Sequence, residues 1–204
     1  MRPEAEAGDD VDGFVGDLFV LDGSASSDAD GDTLSHRWAI TEADPEDGLV
    51  LTLASSATPI LTAKSRGRYT VKLIVNDGTI DSDPDYLDIA INNRQPVANA
   101  GDDTEAYIGD LVTLDGSSSG DADGDELTYS WSVVGDAEQT GIEINDPAAE
   151  SPVVEVVAQG VYDLQLIVND GALDSQADIV RITVGNQLPL ANAGDDAAAV
   201  VGDE

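Results

Sequence analysis

The chain has 204 residues, with 42 Asp and Glu against 8 Lys and Arg, a formal net charge of -34 and no cysteine. Such an acidic excess lacks the basic footprint of a nucleic-acid binder and is repelled by an anionic membrane surface, and the composition excludes disulfides and thiolate metal sites. No apolar run approaches the roughly 20 residues of a membrane-spanning helix, and Met1-Arg2-Pro3-Glu4-Ala5-Glu6 has no apolar signal-peptide core.

One pattern is written twice, at a constant offset of 93 residues that carries Trp38 onto Trp131. Leu21-Asp22-Gly23-Ser24 returns as Leu114-Asp115-Gly116-Ser117. Asp28-Ala29-Asp30-Gly31-Asp32 returns as Asp121-Ala122-Asp123-Gly124-Asp125, and Leu73-Ile74-Val75-Asn76-Asp77-Gly78 as Leu166-Ile167-Val168-Asn169-Asp170-Gly171. A third copy opens at Pro189, with Ala193-Gly194-Asp195-Asp196 and then Gly202-Asp203. The expected organisation is a domain over 1-92, a second over 93-185, and a linker with the first strand of a truncated third repeat over 186-204. The chain then reads as a segment of a longer array. Each repeat is long enough for a small core.

In chain order, the second copy predicts a broken first strand (Val97-Ala98-Asn99-Ala100, then Glu105-Ala106-Tyr107-Ile108). Strands follow at Leu111-Asp115, Leu127-Val134, Ile142-Ile144, Val153-Val157, Val161-Val168 and Asp178-Val184. Alternating apolar residues and turns at Gly109-Asp110, Gly160 and Asn169-Asp170-Gly171 support these runs, and no window keeps a helical period. Short strands at this spacing predict an all-β fold of tandem, immunoglobulin-like antiparallel sandwiches. Trp38 and Trp131 stand where such a sandwich buries the tryptophan of its third strand. Tyr69 and Tyr162, opening the penultimate strand, stand at tyrosine-corner spacing. Between the copies lie only Asn92-Asn93-Arg94-Gln95 before Pro96, and proline biases that linker toward extended geometry.

Taken in order, Asn-x-x-Pro at Asn93, Ala-Gly-Asp-Asp, Leu-Asp-Gly-Ser, Asp-Ala-Asp-Gly-Asp, Leu-Thr-Tyr-Ser-Trp and Asn-Asp-Gly resemble the polycystic kidney disease (PKD) repeat across both full copies. The first copy departs from it: Met1-Arg2-Pro3 lacks the asparagine, and His36-Arg37-Trp38 replaces Tyr-Ser-Trp. The resemblance implies an immunoglobulin-like sandwich of cell surfaces and secreted enzymes, serving as a spacer, an adhesive module or a protein contact, in some cases with bound calcium.

The Asp-x-Asp-Gly-Asp loops crowd three carboxylates into one turn, and this repulsion calls for a counter-ion. Calcium suits oxygen-only ligands. The loop is not an EF-hand, because positions 6 and 12 from Asp28 are Thr33 and Ala39. In the predicted topology the loop after the second strand and the loop after the sixth share one end with the linker. The expected calcium ligands are therefore Asp121, Asp123, Asp125, Asp170 and Asn93. In the first copy they are Asp28, Asp30, Asp32 and Asp77, and Asn186 would serve the third. The same sequences are also ordinary turns, since Asn and Asp satisfy backbone groups locally and Gly accepts positive φ. Two calcium ions would change the net charge of -34 only to -30, so most carboxylates must have another role. One histidine and no cysteine leave no nucleophile-base pair. The expectation is a non-enzymatic extracellular array (stalk, adhesin shaft, surface layer or filament) stiffened by calcium at its joints. Its partners would be neighbouring repeats, further copies in a self-assembled filament, a surface protein or a polysaccharide. The rival is a polysaccharide- or protein-binding accessory of a secreted hydrolase.

Overall fold

The computed structural model describes residues 1-135 and 141-187. The predicted opening of a third repeat falls on 188-204 and lies outside them. Among the described residues every regular element is a strand.

The first copy forms β1 (Val11–Phe14), β2 (Leu18–Val20), β3 (Ser35–Asp44), β4 (Leu49–Thr52), β5 (Ile60–Ala63), β6 (Gly67–Asn76) and β7 (Asp85–Asn92). These make two sheets, ordered β1-β7-β6-β3 and β2-β5-β4. The second copy repeats this with β8 (Thr104–Tyr107), β9 (Leu111–Thr113), β10 (Thr128–Val133), β11 (Ile142–Ile144), β12 (Val153–Val156), β13 (Gly160–Asn169) and β14 (Asp178–Gly185), in sheets β10-β13-β14-β8 and β11-β12-β9.

Strict alternation on β6 and β13 puts Tyr69, Val71, Leu73 and Val75, and Tyr162, Leu164, Leu166 and Val168, on the buried face. Those of β6 form the first core with Leu61, Leu87 and Ile89 around Trp38; those of β13 are buried with Val154, Val156, Val180, Ile182 and Trp131 in the second copy. Burying each such aliphatic side chain contributes about 1.5–3 kcal/mol. Both tryptophans reach a carbonyl: Nε1 of Trp38 donates to Ser56 O at 3.0 Å, and that of Trp131 to Ala149 O at 3.1 Å.

The pairing departs from a purely antiparallel expectation once in each copy. β1 runs parallel to β7, with Val11 opposite Ile89, and β8 runs parallel to β14, with Ile182 opposite Thr104. Before that, Glu4 and Val97 bridge Ser27 and Gly120 in antiparallel sense. The predicted break in the first strand is thus a change of partner. An aspartate across the sheet holds it: the Ala7 amide donates to Asp85 Oδ2 at 2.7 Å, and the Ala100 amide to Asp178 Oδ2 at 2.8 Å.

The tyrosine corners are formed. Tyr69 OH donates to Ser65 O at 2.8 Å and Tyr162 OH to Ala158 O at 3.1 Å. A Cβ added at Gly48 would overlap the Tyr69 hydroxyl, and one at Gly141 the Tyr162 hydroxyl. By compactness the chain divides into two units. The first gathers Met1–Val97 with Gly120–Leu127 and Asn169–Ser175; the second holds Ala98–Ser119, Thr128–Val168 and the residues from Gln176 on.

Tyr69→Phe should cost about 0.5–1.5 kcal/mol by urea unfolding, from the lost hydroxyl donor. Gly48→Ala should cost about 1–3 kcal/mol by overpacking, and less when placed on Tyr69→Phe, since that removes the nearest atom the new methyl meets while the ring carbons Cζ and Cε1 remain close. Equal costs in both backgrounds would contradict this packing.

Candidate functional site

The two acidic loops are built alike from local bonds. Asp121 Oδ1 accepts the amides of Asp123 at 2.8 Å and Asp125 at 3.2 Å; Asp28 Oδ1 accepts those of Asp30 at 2.8 Å and Asp32 at 3.3 Å. Gly31 and Gly124 complete the turns at φ +81° and +84°, in the left-handed region that suits glycine. In each loop the second oxygen of the leading aspartate, Asp28 Oδ2 or Asp121 Oδ2, is buried and meets no hydrogen-bond partner.

The first compact unit brings the predicted residues of the second loop together. Asn93 Nδ2 donates to Asp170 Oδ2 at 2.8 Å. Asp170, buried at 5 % exposure, accepts at Oδ1 the amides of Ala172 and Leu173, both at 2.7 Å. The Leu173 amide chiefly holds its carboxyl below the ordinary aspartate value; burial opposes this, and Asn93 and the Ala172 amide assist. Asp77, its sister, is likewise lowered by the amide of Ile80, the Thr79 hydroxyl and the Thr79 amide.

Two guanidinium groups enter this cluster. Arg66 Nη1 donates to Asn93 Oδ1 at 2.6 Å and lies 3.3 Å from Asp125 Oδ2. Arg94 Nη1 meets Asp123 Oδ1 at 2.6 Å, and the Asp123 side chain is only 3 % exposed. Among the described residues no three carboxylate or imidazole side chains are placed to hold a metal ion by themselves. Amide oxygens, carbonyls or water would have to complete any cation shell. In the first loop Asp30 pairs with the Met1 ammonium, whose pKa is raised chiefly by that bond and by the nearby Asp28 and Asp77. Asn186 is exposed beyond β14, and the loops it would serve lie outside the described residues. His36 Nε2 donates to Gly23 O at 3.2 Å, a structural role.

Arg66 and Arg94 were not among the predicted site residues. A signal exists: Lys64, Arg66, Arg68, Lys72 and Arg94 are five of the chain's 8 basic residues, gathered within one stretch of the first copy and its linker.

Geometry thus defines tandem immunoglobulin-like sandwiches with a repeated aspartate loop. A family profile described as "PKD domain" matches residues 1–89, and one described as "K319L-like, PKD domain" matches 100–184. The chain belongs to the PKD domain family, as two such domains in tandem. Neither profile is that of a catalytic family. The chain is similar to the human dyslexia-associated protein KIAA0319, 30% identical over 183 residues that make up 86% of this chain and 17% of that protein. It is also similar to chitinase A of Pseudoalteromonas piscicida, 37% identical over 93 residues, or 45% of this chain and 11% of that one. The chain therefore spans less than a fifth of these relatives. The solution structure of a PKD domain from human KIAA0319 aligns at TM-score 0.38 and 18% identity, covering 52% of this chain and 92% of that one. Among the described residues no helix is long and apolar enough to cross a membrane.

Because the fold favours the ionised form of Asp170, its contribution is complete above the ordinary aspartate range, about pH 4–5. The contribution is lost as pH falls through the lowered folded value. Thermal melts from pH 7 to pH 2 should show a steeper acid decline for the wild type than for Asp170→Asn; parallel curves would refute the assignment.

Proposed function

We propose that this chain works as a non-enzymatic extracellular spacer, a pair of PKD domains whose linker is stiffened by calcium. The supporting observation is the pair of buried, unpartnered oxygens, Asp28 Oδ2 and Asp121 Oδ2, at one register of both repeats. A buried carboxylate oxygen without a donor is costly, and a hard divalent cation satisfies it with oxygen ligands in flexible geometry. Among the described residues no three carboxylates are gathered for an ion as the loops stand, so binding would draw Asp121, Asp125, Asp170 and Asn93 together in the second loop, releasing Arg66 from Asn93 and Asp125, with Asp123 turned to Arg94. In the first it would draw together Asp28, Asp30, Asp32 and Asp77. The linker ending in Asn186 would supply the next domain. Bound there, calcium would offset the crowded charge and fasten Asn92–Pro96 to two loops, the change that turns a jointed string of domains into a shaft. Placement on a cell surface or in a secreted protein accords with the family.

A second reading, an accessory that holds a hydrolase to polysaccharide, draws support from the likeness to chitinase A. The aromatic surface argues for the spacer. Tyr86 is 52 % exposed on β7 and Phe14 lies opposite Asn92 at its far end. Six residues of strand, roughly 20 Å, separate them, and Arg94 covers Phe14. These two rings make no stacking row for a glycan within the first copy, and the exposed Tyr107 of the second copy stands on a different sheet, on β8.

Melting with calcium against chelator tests the proposal. Saturating calcium should raise the midpoint, by about 2.7 kcal/mol of stabilisation when the free ion is 100 times Kd. Magnesium should do less, and Asp28→Asn with Asp121→Asn should remove the response. Identical midpoints in calcium and chelator would overturn the calcium reading, and retention on insoluble chitin would favour the accessory module.

A further inference from the structure

Arg94 is gripped on several sides. Its amide donates to Asp123 Oδ2 at 2.6 Å, and its Nη1 to Asp123 Oδ1 at 2.6 Å and to Val15 O at 2.8 Å. Its Nη2 donates to Asp17 Oδ1 at 3.0 Å, and its guanidinium carbon lies 4.5 Å from the centroid of the Phe14 ring. Asp17 is itself fixed, since its Oδ2 accepts the Phe14 amide at 2.9 Å. All of these residues belong to the first compact unit.

The chemistry selects arginine. A planar fork of donors can serve two carboxylates and a carbonyl at once while its face stacks on a ring; an ammonium cannot. Asp123 is nearly enclosed, and a buried carboxylate stripped of its partner is strongly destabilising. The hydrogen bonds to Asp123 and Asp17 raise the pKa of Arg94, so its charge persists at every physiological pH. The following linker carries Gln187 at this register, and Val157-Ala158-Gln159 stands where the first copy has Lys64-Ser65-Arg66. The device belongs to one linker and is not a repeat-wide feature.

We infer that Arg94 is the resident counter-ion of the second acidic loop, a metal-independent tie that fastens the linker to the Val15–Asp17 turn and withholds Asp123 from a divalent ion. The tie operates without calcium, so it stands or falls separately from the calcium reading.

The test is made in chelator on the full chain. In the wild type the Arg94 amide should exchange slowly, and its guanidinium protons should show the upfield shift of a cation stacked on Phe14. Phe14→Leu should erase that shift while the chain stays folded. Arg94→Lys should not recover the wild-type midpoint, and Arg94→Gln should speed exchange at residue 94 by about tenfold or more through local opening. Arg94→Ala and Asp123→Asn together should cost less than the sum of the two alone, because each removes the other's partner. Strictly additive costs, or guanidinium signals of a free arginine in chelator, would overturn the inference. A calcium response that persists in Arg94→Ala would leave the calcium reading intact while the tie is judged on its own.

Discussion

The chain must fold 42 acidic residues with only 8 basic ones, so most carboxylates need a partner other than a cation. Many take backbone amides. Asp22 and Asp115 accept Ser24 N and Ser117 N at 2.9 and 3.0 Å. Asp17 and Asp110 accept Phe14 N and Tyr107 N, and Asp10 and Asp103 accept Asp88 N and Arg181 N. Asp85 and Asp178 hold the partner change of the first strand, while Asp77 and Asp170 close the loop after β6 and β13. An amide bond to a charged acceptor is stronger than a neutral one. Aspartate, short enough to reach its own turn, therefore stands at loop after loop in place of a larger core. The acidity is in part a scaffold.

That scaffold sets what the loops can do. Once Asp121 has spent one oxygen on two amides, its second oxygen faces inward unpaired, and the same holds for Asp28. Asp123 and Asp125 are then directed to Arg94 and Arg66, and Asp170 to Asn93. One acidic turn thus takes its counter-charge from the chain's own guanidinium groups, Arg94 and Arg66. The first loop, with no arginine bonded to it among the described residues, is the plainer of the two. Domains of this family are typically non-catalytic modules.

Local order was the legible part of the sequence. Alternation on β6 and β13, both tryptophans and both tyrosine corners follow from spacing alone. So do the turn bonds between residues two or three apart, whereas the meeting of Asn93 with Asp170 rested on the predicted topology, which puts the linker and the loop after the sixth strand at one end. Long-range pairing was not legible. Periodicity says that a strand exists but not which neighbour it takes, so the parallel register of β1 on β7 could not be read. The Ala7–Asp85 and Arg94–Val15 bonds span 78 and 79 positions, beyond any motif. Arg94 was hidden because its partners are ordinary residues of a turn, Val15 and Asp17, with no signature of their own. The basic stretch from Lys64 to Arg94 was the one clue, visible only against the acidity of the rest.

Native-state amide hydrogen exchange near neutral pH tests the carboxylate scaffold most directly. The account predicts that the amides of Ala7, Phe14 and Ile80, and of Ala100, Tyr107 and Leu173 in the sister repeat, exchange far more slowly than exposed loop amides. Matched pairs should be protected alike, and protection should vanish on acidification before the sheets open. Exchange at free-chain rates in a folded protein at neutral pH would contradict it.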